Sequence, residues 1–320
     1  MRPPSLGLKI HARRLYSLVD FHILAVTFVV IPPILVSVIL PTVAVASRAA
    51  CLDRALESVL TQVGIRVDPI VIVNGPDCDR DVIDALRRRR DIRVLRRREP
   101  GLGKAIAAGR EIVEAPYFAE LDDDDWFLPG ALAARVARME VDPTIDATVT
   151  SGYLRTAGGD VLNVPKISRC AQDPLRAIID RMWLTPGAGL YRTATIPATY
   201  FSGMPPHLEW TYLALRLALE RRIAFLDAPT FVYSADTPDS LSKSSEHVLR
   251  QPGALQALLR IELPPDVRRA LRRKYVAAMH GASVKDLEQG RRVDAWKWHL
   301  RTLLHVYGWR YLTYTRHLFA

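Results

Sequence analysis

Apolar residues in this chain fall into short unbroken runs, separated by stretches in which they return every three or four positions. Val43-Ala44-Val45-Ala46, Val67 to Val73, Ile92 to Leu95 and Tyr117 to Leu121 have strand length. A strand covered on both faces needs no polar alternation, so such runs predict buried strands. Between them Leu52, Ala55, Leu56, Val59 and Leu60 recur at helical spacing, and Asp79 to Arg90 and Leu102 to Val113 also suit helices. Asn74-Gly75-Pro76-Asp77 reads as a turn. Strand and helix thus alternate four strands deep. The predicted fold class is α/β, a mostly parallel twisted sheet flanked by helices, because parallel neighbours must be joined by crossovers.

Beyond the fourth strand the pattern is mixed. Ala147 to Leu154 and Asp160 to Val164 suit a hairpin around Gly158-Gly159. Ala188 to Tyr191, Ile223 to Leu226 and Thr230 to Tyr233 read as short strands, with a helix over Trp210 to Arg221. From about His247 onward the periodicity is helical throughout, over 247–260, 265–281 and 293–306, which predicts a C-terminal helical appendage.

The N-terminus departs from this pattern. Phe21 to Leu40 is 20 residues without a formal charge, long enough to span a bilayer, and Lys9, Arg13 and Arg14 precede it. Pro32-Pro33 interrupts it, and a strand starting at Val43 would leave almost no chain between a membrane exit and the sheet. We therefore divide the chain into three regions. Residues 1–40 are an apolar extension, either a non-native start or a weak membrane segment; residues 41–245 are the α/β domain; residues 246–320 are the helical region.

Composition changes this picture little. At 320 residues, 49% apolar and 24% charged, the chain can bury a large core. Cys51, Cys78 and Cys170 form no CxxC or Cys/His grouping, so neither a disulfide framework nor a zinc site is indicated, and a cytoplasmic location fits. The net charge of +10 is partly local, in Arg87-Arg88-Arg89-Arg90, Arg96-Arg97-Arg98 and the run Arg268-Arg269 with Arg272-Arg273-Lys274. Such runs are solvated helix ends or attract anionic lipid; no nucleic-acid recognition motif accompanies them, and no nucleic acid is expected as a partner. Trp296, Trp298, Tyr307, Trp309, Tyr311 and Tyr314 alternate with Lys297, Arg301, Arg310 and Arg316. That interleaving suits peripheral contact with an anionic membrane at the inner face, and equally an ordinary packed subdomain.

The densest chemistry is Asp122-Asp123-Asp124-Asp125, directly after the run Tyr117 to Leu121 and before Trp126-Phe127-Leu128-Pro129. Adjacent carboxylates repel and raise one another's pKa unless a cation compensates them. At the carboxyl end of a strand they would offer hard oxygen ligands where open α/β sheets bind their ligands, and Mg²⁺ favours one or two carboxylates plus substrate phosphates. The alternative is a solvated acidic turn that caps the next helix, which Pro129 would help to start.

Several segments in order carry a resemblance. Pro41-Thr42-Val43-Ala44-Val45-Ala46-Ser47 with Leu56-Glu57-Ser58-Val59-Leu60-Thr61-Gln62, then Val71-Ile72-Val73-Asn74-Gly75-Pro76-Asp77, Gly101-Leu102-Gly103-Lys104, Leu121-Asp122-Asp123-Asp124-Asp125, Glu209-Trp210 and Asp239-Ser240-Leu241-Ser242-Lys243 resemble an inverting family 2 glycosyltransferase of the GT-A fold. The resemblance implies a nucleoside diphosphate sugar as donor and a hydroxyl of a glycan or lipid-linked acceptor. It implies an Asp-x-Asp pair holding Mg²⁺ or Mn²⁺ against the diphosphate, here Asp122 and Asp124, although Asp123 and Asp125 have the same spacing. Donor contacts would come from Ser47, Asn74, Asp77 or Asp79, Lys104 and Asp122, with Ser240, Ser242 and Lys243 in a loop over the donor.

Two positions depart from the family pattern. Asn74 stands where an acid is usual after the second strand, and Trp210 stands where the second acid of a Glu-Asp pair commonly serves as base. Glu209 is then the candidate catalytic base, since no other acid lies between Asp180 and Glu220; its alternative role is a helix N-terminal charge favoured by the dipole. Arg216 is expected to pair with a carboxylate. Two rival readings remain: a nucleotidyltransferase, although Ser47-Arg48-Ala49-Ala50 lacks the glycines of a phosphate loop, and a non-catalytic basic binding protein on a dead fold.

Overall fold

A computed structural model describes residues 34–234 and 245–319. Its centre is a parallel half-sheet. β1 (Leu35–Thr42) lies between β2 (Arg66–Asn74) and β4 (Tyr117–Glu120), and β3 (Arg93–Arg97) flanks β2. Val36, Val38, Ile39 and Leu40 of β1 and Ile70 to Val73 of β2 are fully buried, which is why both strands read as continuous apolar runs. Two prolines fit this ladder because of where they fall. Pro69 precedes the stretch of β2 that pairs with β3, which begins at Ile70. Pro41 lies beyond Ile39, the last residue of β1 paired with β4.

β1 corrects the predicted start of the domain. The first strand is Leu35–Thr42 and not Val43–Ala46, so Leu35 to Leu40, counted above with the apolar extension, are sheet residues. The residues after it turn: Ala44 takes φ +51 and Ala46–Arg48 form a 3-10 turn. A buried parallel strand and an adjoining apolar segment have the same composition, so the pattern alone placed the strand one element late. The rest of the expected extension, residues 1–33, lies outside the described residues.

Helices α1 (Ala49–Leu60), α2 (Arg80–Arg88) and α3 (Leu102–Glu111) make the crossovers. Gly109 lets α3 lie directly on β1, since a Cβ there would stand 2.6 Å from Ile39 Cγ2. Past β4 the sheet changes direction. In chain order come β5 (Trp126–Phe127), α4 (Ala131–Val141), β6 (Ala147–Thr156), β7 (Gly159–Leu162), α5 (Pro174–Asp180), β8 (Gly189–Arg192), α6 (Glu209–Glu220) and β9 (Ile223–Ser234). β8 runs antiparallel to β4 and β6, β9 runs parallel to β6, and β5 pairs antiparallel with the end of β9. The hairpin of β6 and β7 matches expectation. The two short strands expected over 223–233 are one strand, whose register against β6 shifts on either side of the Ser151–Pro229 pair, with the extra residues in β9.

The C-terminal region is helical as predicted: α7 (Ser245–Leu258), α8 (Pro265–Glu288), α9 (Arg292–Leu303), a 3-10 helix over Val306–Tyr314 and α10 (Thr315–Phe319). It is fastened to α5 by Arg176, whose Nε lies 2.6 Å from Asp266 Oδ2, and by Lys274, which donates to the Ile179 carbonyl at 2.9 Å. No helix among the described residues is long and apolar enough to cross a membrane.

Candidate active site

The aspartate run leaves β4 at the sheet's carboxyl edge, where the Leu121 amide still donates to the Ile39 carbonyl at 3.0 Å. Three of the four side chains then converge. Asp122, Asp124 and Asp125 each offer an oxygen within 4.8 Å of the others. Asp123 turns the other way and is buried against β1, accepting from Thr42 Oγ1 at 2.5 Å and from Arg48 Nε at 3.1 and 3.3 Å. Its guanidinium partner Arg48 also reaches Asp124 Oδ2 at 3.3 Å. A turn through Asp123 and Asp124, closed by the Asp125 amide donating to the Asp122 carbonyl at 3.2 Å, separates the anchoring aspartate from the converging ones.

The converging carboxylates are electrostatically unfavourable by themselves. Burial pushes the Asp122 carboxyl up to about 8, with Asp124 and Asp123 adding repulsion, Arg48 opposing it and Glu209 contributing further repulsion. Burial also raises Asp125 well above the usual range, followed by the charges of Asp122 and Asp124. Asp125 Oδ1 accepts the Ser234 amide at 2.8 Å, whereas its Oδ2 is buried without a hydrogen-bond partner. An orphaned buried oxygen beside two more carboxylates is what a hard divalent cation would satisfy, and the donor set fits Mg²⁺ or Mn²⁺. The cluster is braced from outside: Ser234 Oγ and Arg54 both donate to the Asp124 carbonyl at 2.9 Å, and the Arg54 guanidinium lies 4.2 Å from the Trp126 ring centre.

Glu209 is the first residue of α6 and is half-buried. Burial raises its pKa, opposed by hydrogen bonds from its own and the His207 amides. Its charge is felt at Asp122, so the two groups share one electrostatic environment. His207 holds α6 at this angle with φ +71, and its ring meets His247 of α7 edge-on at 5.1 Å. Trp210 is partly buried against the core. Arg216 pairs with Glu220 at 3.3 Å and stacks on Tyr200 at 4.2 Å, consistent with the expected structural role.

Residues 37–169 match the profile of glycosyl transferase family 2. No curated protein matches the chain. In fold it is similar to S. aureus TarS 1–349 solved with UDP-GlcNAc, at 14% identity over 77% of this chain and 72% of that one, with a TM-score of 0.50. It is also similar to the mannosyltransferase PcManGT from Pyrobaculum calidifontis solved with GDP-Man and Mn²⁺, at 14% identity over 90% and 81% of the two chains, with a TM-score of 0.53. The GT-A architecture expected from the resemblance is thus the one observed.

The remaining predicted donor residues lie on loops that follow the parallel strands, but not all of their side chains are turned to solvent. Ser47 is exposed in the 3-10 turn after β1, and Asp77 is exposed in the turn after β2. Asn74 is half-buried and braces two loops: its Nδ2 donates to the Thr42 carbonyl at 3.2 Å and its Oδ1 accepts the Gly101 amide at 3.3 Å. Asp79 accepts from the Ala46 amide and so ties the β1 and β2 loops together. Lys104 is exposed in the first turn of α3 and paired with Glu99. Ser240, Ser242 and Lys243 lie outside the described residues.

Arg48, Arg54 and Ser234 were not singled out from the sequence, because their partners lie 70 to 110 positions away. The only available signal was a cation directly after Ser47 in a domain with four adjacent acids. A cavity of about 430 Å³ opens between α5, α6 and the C-terminal helices, lined by Met182, Leu208, Thr211, Leu255, Leu271 and Lys274 among others; Glu209 is not part of its lining.

Proposed function

We propose that the chain is a metal-dependent, inverting glycosyltransferase of the hexosyl type. It would transfer a sugar from a nucleoside diphosphate donor to a hydroxyl of a glycan or lipid-linked acceptor, on the cytoplasmic side of cell-envelope polysaccharide synthesis. One observation carries this reading: three carboxylates, one with an orphaned oxygen, converge at a parallel strand's carboxyl edge within the field of Glu209. The donors bound by proteins of similar fold, UDP-GlcNAc and GDP-Man, support the donor class.

In this reading Asp122 and Asp124 hold Mg²⁺ or Mn²⁺, with Asp125 completing the set. The cation, when bound, offsets the charge that develops on the departing nucleoside diphosphate. Ser47, Asn74, Asp77 and Lys104 line the donor side. For Lys104 this requires exchanging Glu99 for a phosphate, an inexpensive change for an exposed pair. Glu209 removes the acceptor hydroxyl proton onto its carboxylate as the oxygen attacks the anomeric carbon from the face opposite the leaving group. A carboxyl whose pKa is raised by burial is a stronger base than an exposed one, which suits this step.

Thermal unfolding with UDP and GDP, each with and without Mn²⁺, tests the reading. A midpoint raised by one nucleotide only in the presence of metal is expected, because a ligand that binds only the native state stabilises it. If neither nucleotide shifts the midpoint and purified protein releases no diphosphate from UDP- or GDP-sugars, the reading fails.

A further inference from the structure

The last segment of the chain forms a surface that the transfer reaction does not use. Residues Val306–Tyr314 form a nine-residue 3-10 helix, long for a type that usually ends after three or four residues. With three residues per turn, every third side chain shares a face. Gly308, Tyr311 and Tyr314 face inward. A Cβ at Gly308 would fall 1.8 Å from the Thr302 carbonyl oxygen, Tyr311 stacks on His280 at 4.0 Å, and Tyr314 meets His280 and His299 edge-on at 4.8 and 5.5 Å.

That locked inner face forces the next set outward. Val306, Trp309 and Leu312 form one apolar ridge, 85%, 68% and 49% exposed. Leu304 at 86% and Phe319 at 76% are also exposed in this C-terminal segment, and α9 exposes Val293 and Leu300 at a helical spacing of seven.

The charged side chains of the segment that carries this ridge have one sign. No aspartate or glutamate occurs from Ala295 to Ala320, whereas Lys297, Arg301, Arg310 and Arg316 do. Arg301, Arg310 and Arg316 are exposed, and none lies within ion-pair distance of a carboxylate among the described residues. We propose that this ridge and its arginines dock the protein onto an anionic lipid bilayer. Aliphatic and indole side chains would enter the interface while the cations meet acidic headgroups. A second copy of the same surface would bring cations against cations. Nucleic acid would leave Val306 and Leu312 without a base to stack on. An anionic bilayer satisfies the apolar and the cationic parts together. The inference is independent of the transfer reaction.

Co-sedimentation of the full chain with phosphatidylcholine vesicles, with and without phosphatidylglycerol, tests it. The protein is expected to pellet with the anionic vesicles, less so as salt is raised, and to stay in solution with phosphatidylcholine alone. Trp309→Ser with Leu312→Ser should weaken the partition roughly tenfold. Arg310→Glu with Arg316→Glu, at fully solvated positions that do not threaten the fold, should weaken it roughly 30-fold. The proposal is overturned if the wild type ignores both vesicle types, or if both double variants pellet like the wild type. It is also overturned if sedimentation velocity shows a dimer that Trp309→Ser disperses.

Discussion

The aspartate cluster is acidic and the C-terminal ridge is bordered by cations, and the two hold their charge in opposite ways. At the end of β4, acids are folded inward, where burial first and then neighbouring carboxylates raise the Asp122 and Asp125 carboxyls, with Arg48 the nearby cation that opposes the rise at Asp122. At the C-terminus, cations of one sign are left in solvent around apolar side chains, where their mutual repulsion is screened. Burial turns like charges into a demand for a counter-ion and so into chemistry. Exposure leaves them as a long-range address for a surface of opposite charge. The same protein thus uses electrostatic frustration at one pole and avoids it at the other.

Substitutions can break the first half of this contrast more severely than the second. The largest effect is expected for Asp124→Ala, which should lower donor turnover about a thousandfold or more while the circular dichroism spectrum is retained. Asp123→Asn should be much milder in metal titration, because Asp123 faces Arg48 and Thr42 rather than its neighbours' oxygens. Equal loss of metal affinity in both variants would refute that division of labour.

Glu209→Gln should cost roughly 10²–10⁴ in turnover. It should also flatten the acid limb of the pH profile. The base must be deprotonated, so activity falls as pH drops through its pKa. Burial raises that pKa, so the limb in the wild type should lie above the ordinary carboxylate value of about 4.3. A limb at or below that value would point to another base.

Arg48→Met leaves Asp123 buried without its cation. A loss of about 2–3 kcal/mol in urea unfolding is expected, less than for a fully buried pair because Arg48 is itself partly exposed. The smallest effect falls at the other pole. Arg310→Glu with Arg316→Glu should change stability by no more than about 0.5 kcal/mol, although it should release the protein from anionic vesicles. A large stability loss there would mean that these cations are structural after all.

Much of the parallel half of the fold was legible because each strand is buried on both faces and each crossover helix on one. Apolar runs and helical spacing therefore record it directly. The errors fell where that code is degenerate. β1 was placed late because the residues before it are equally apolar, and β9 was read as two strands because its exposed middle, around Asp227, looks like a break. α4 and α5 were not marked, although both are formed. Of the site, the aspartates and Glu209 were visible as residues, and the family resemblance suggested their roles. Asn74 was expected to meet the nucleotide; that its amide also spans the Thr42 and Gly101 backbones is a use no local pattern encodes.

The sequence by itself determined the α/β class, the acidic run at a strand end and the basic, aromatic C-terminus, because composition and periodicity are local properties of the chain. Only the tertiary structure decided which aspartate points away from the others, that Arg48 and Ser234 brace them from opposite sides, and that Val306, Trp309 and Leu312 share one edge. Those facts depend on contacts between residues far apart in sequence and on a helix type set by its packing partners, and neither is written in the order of neighbouring residues.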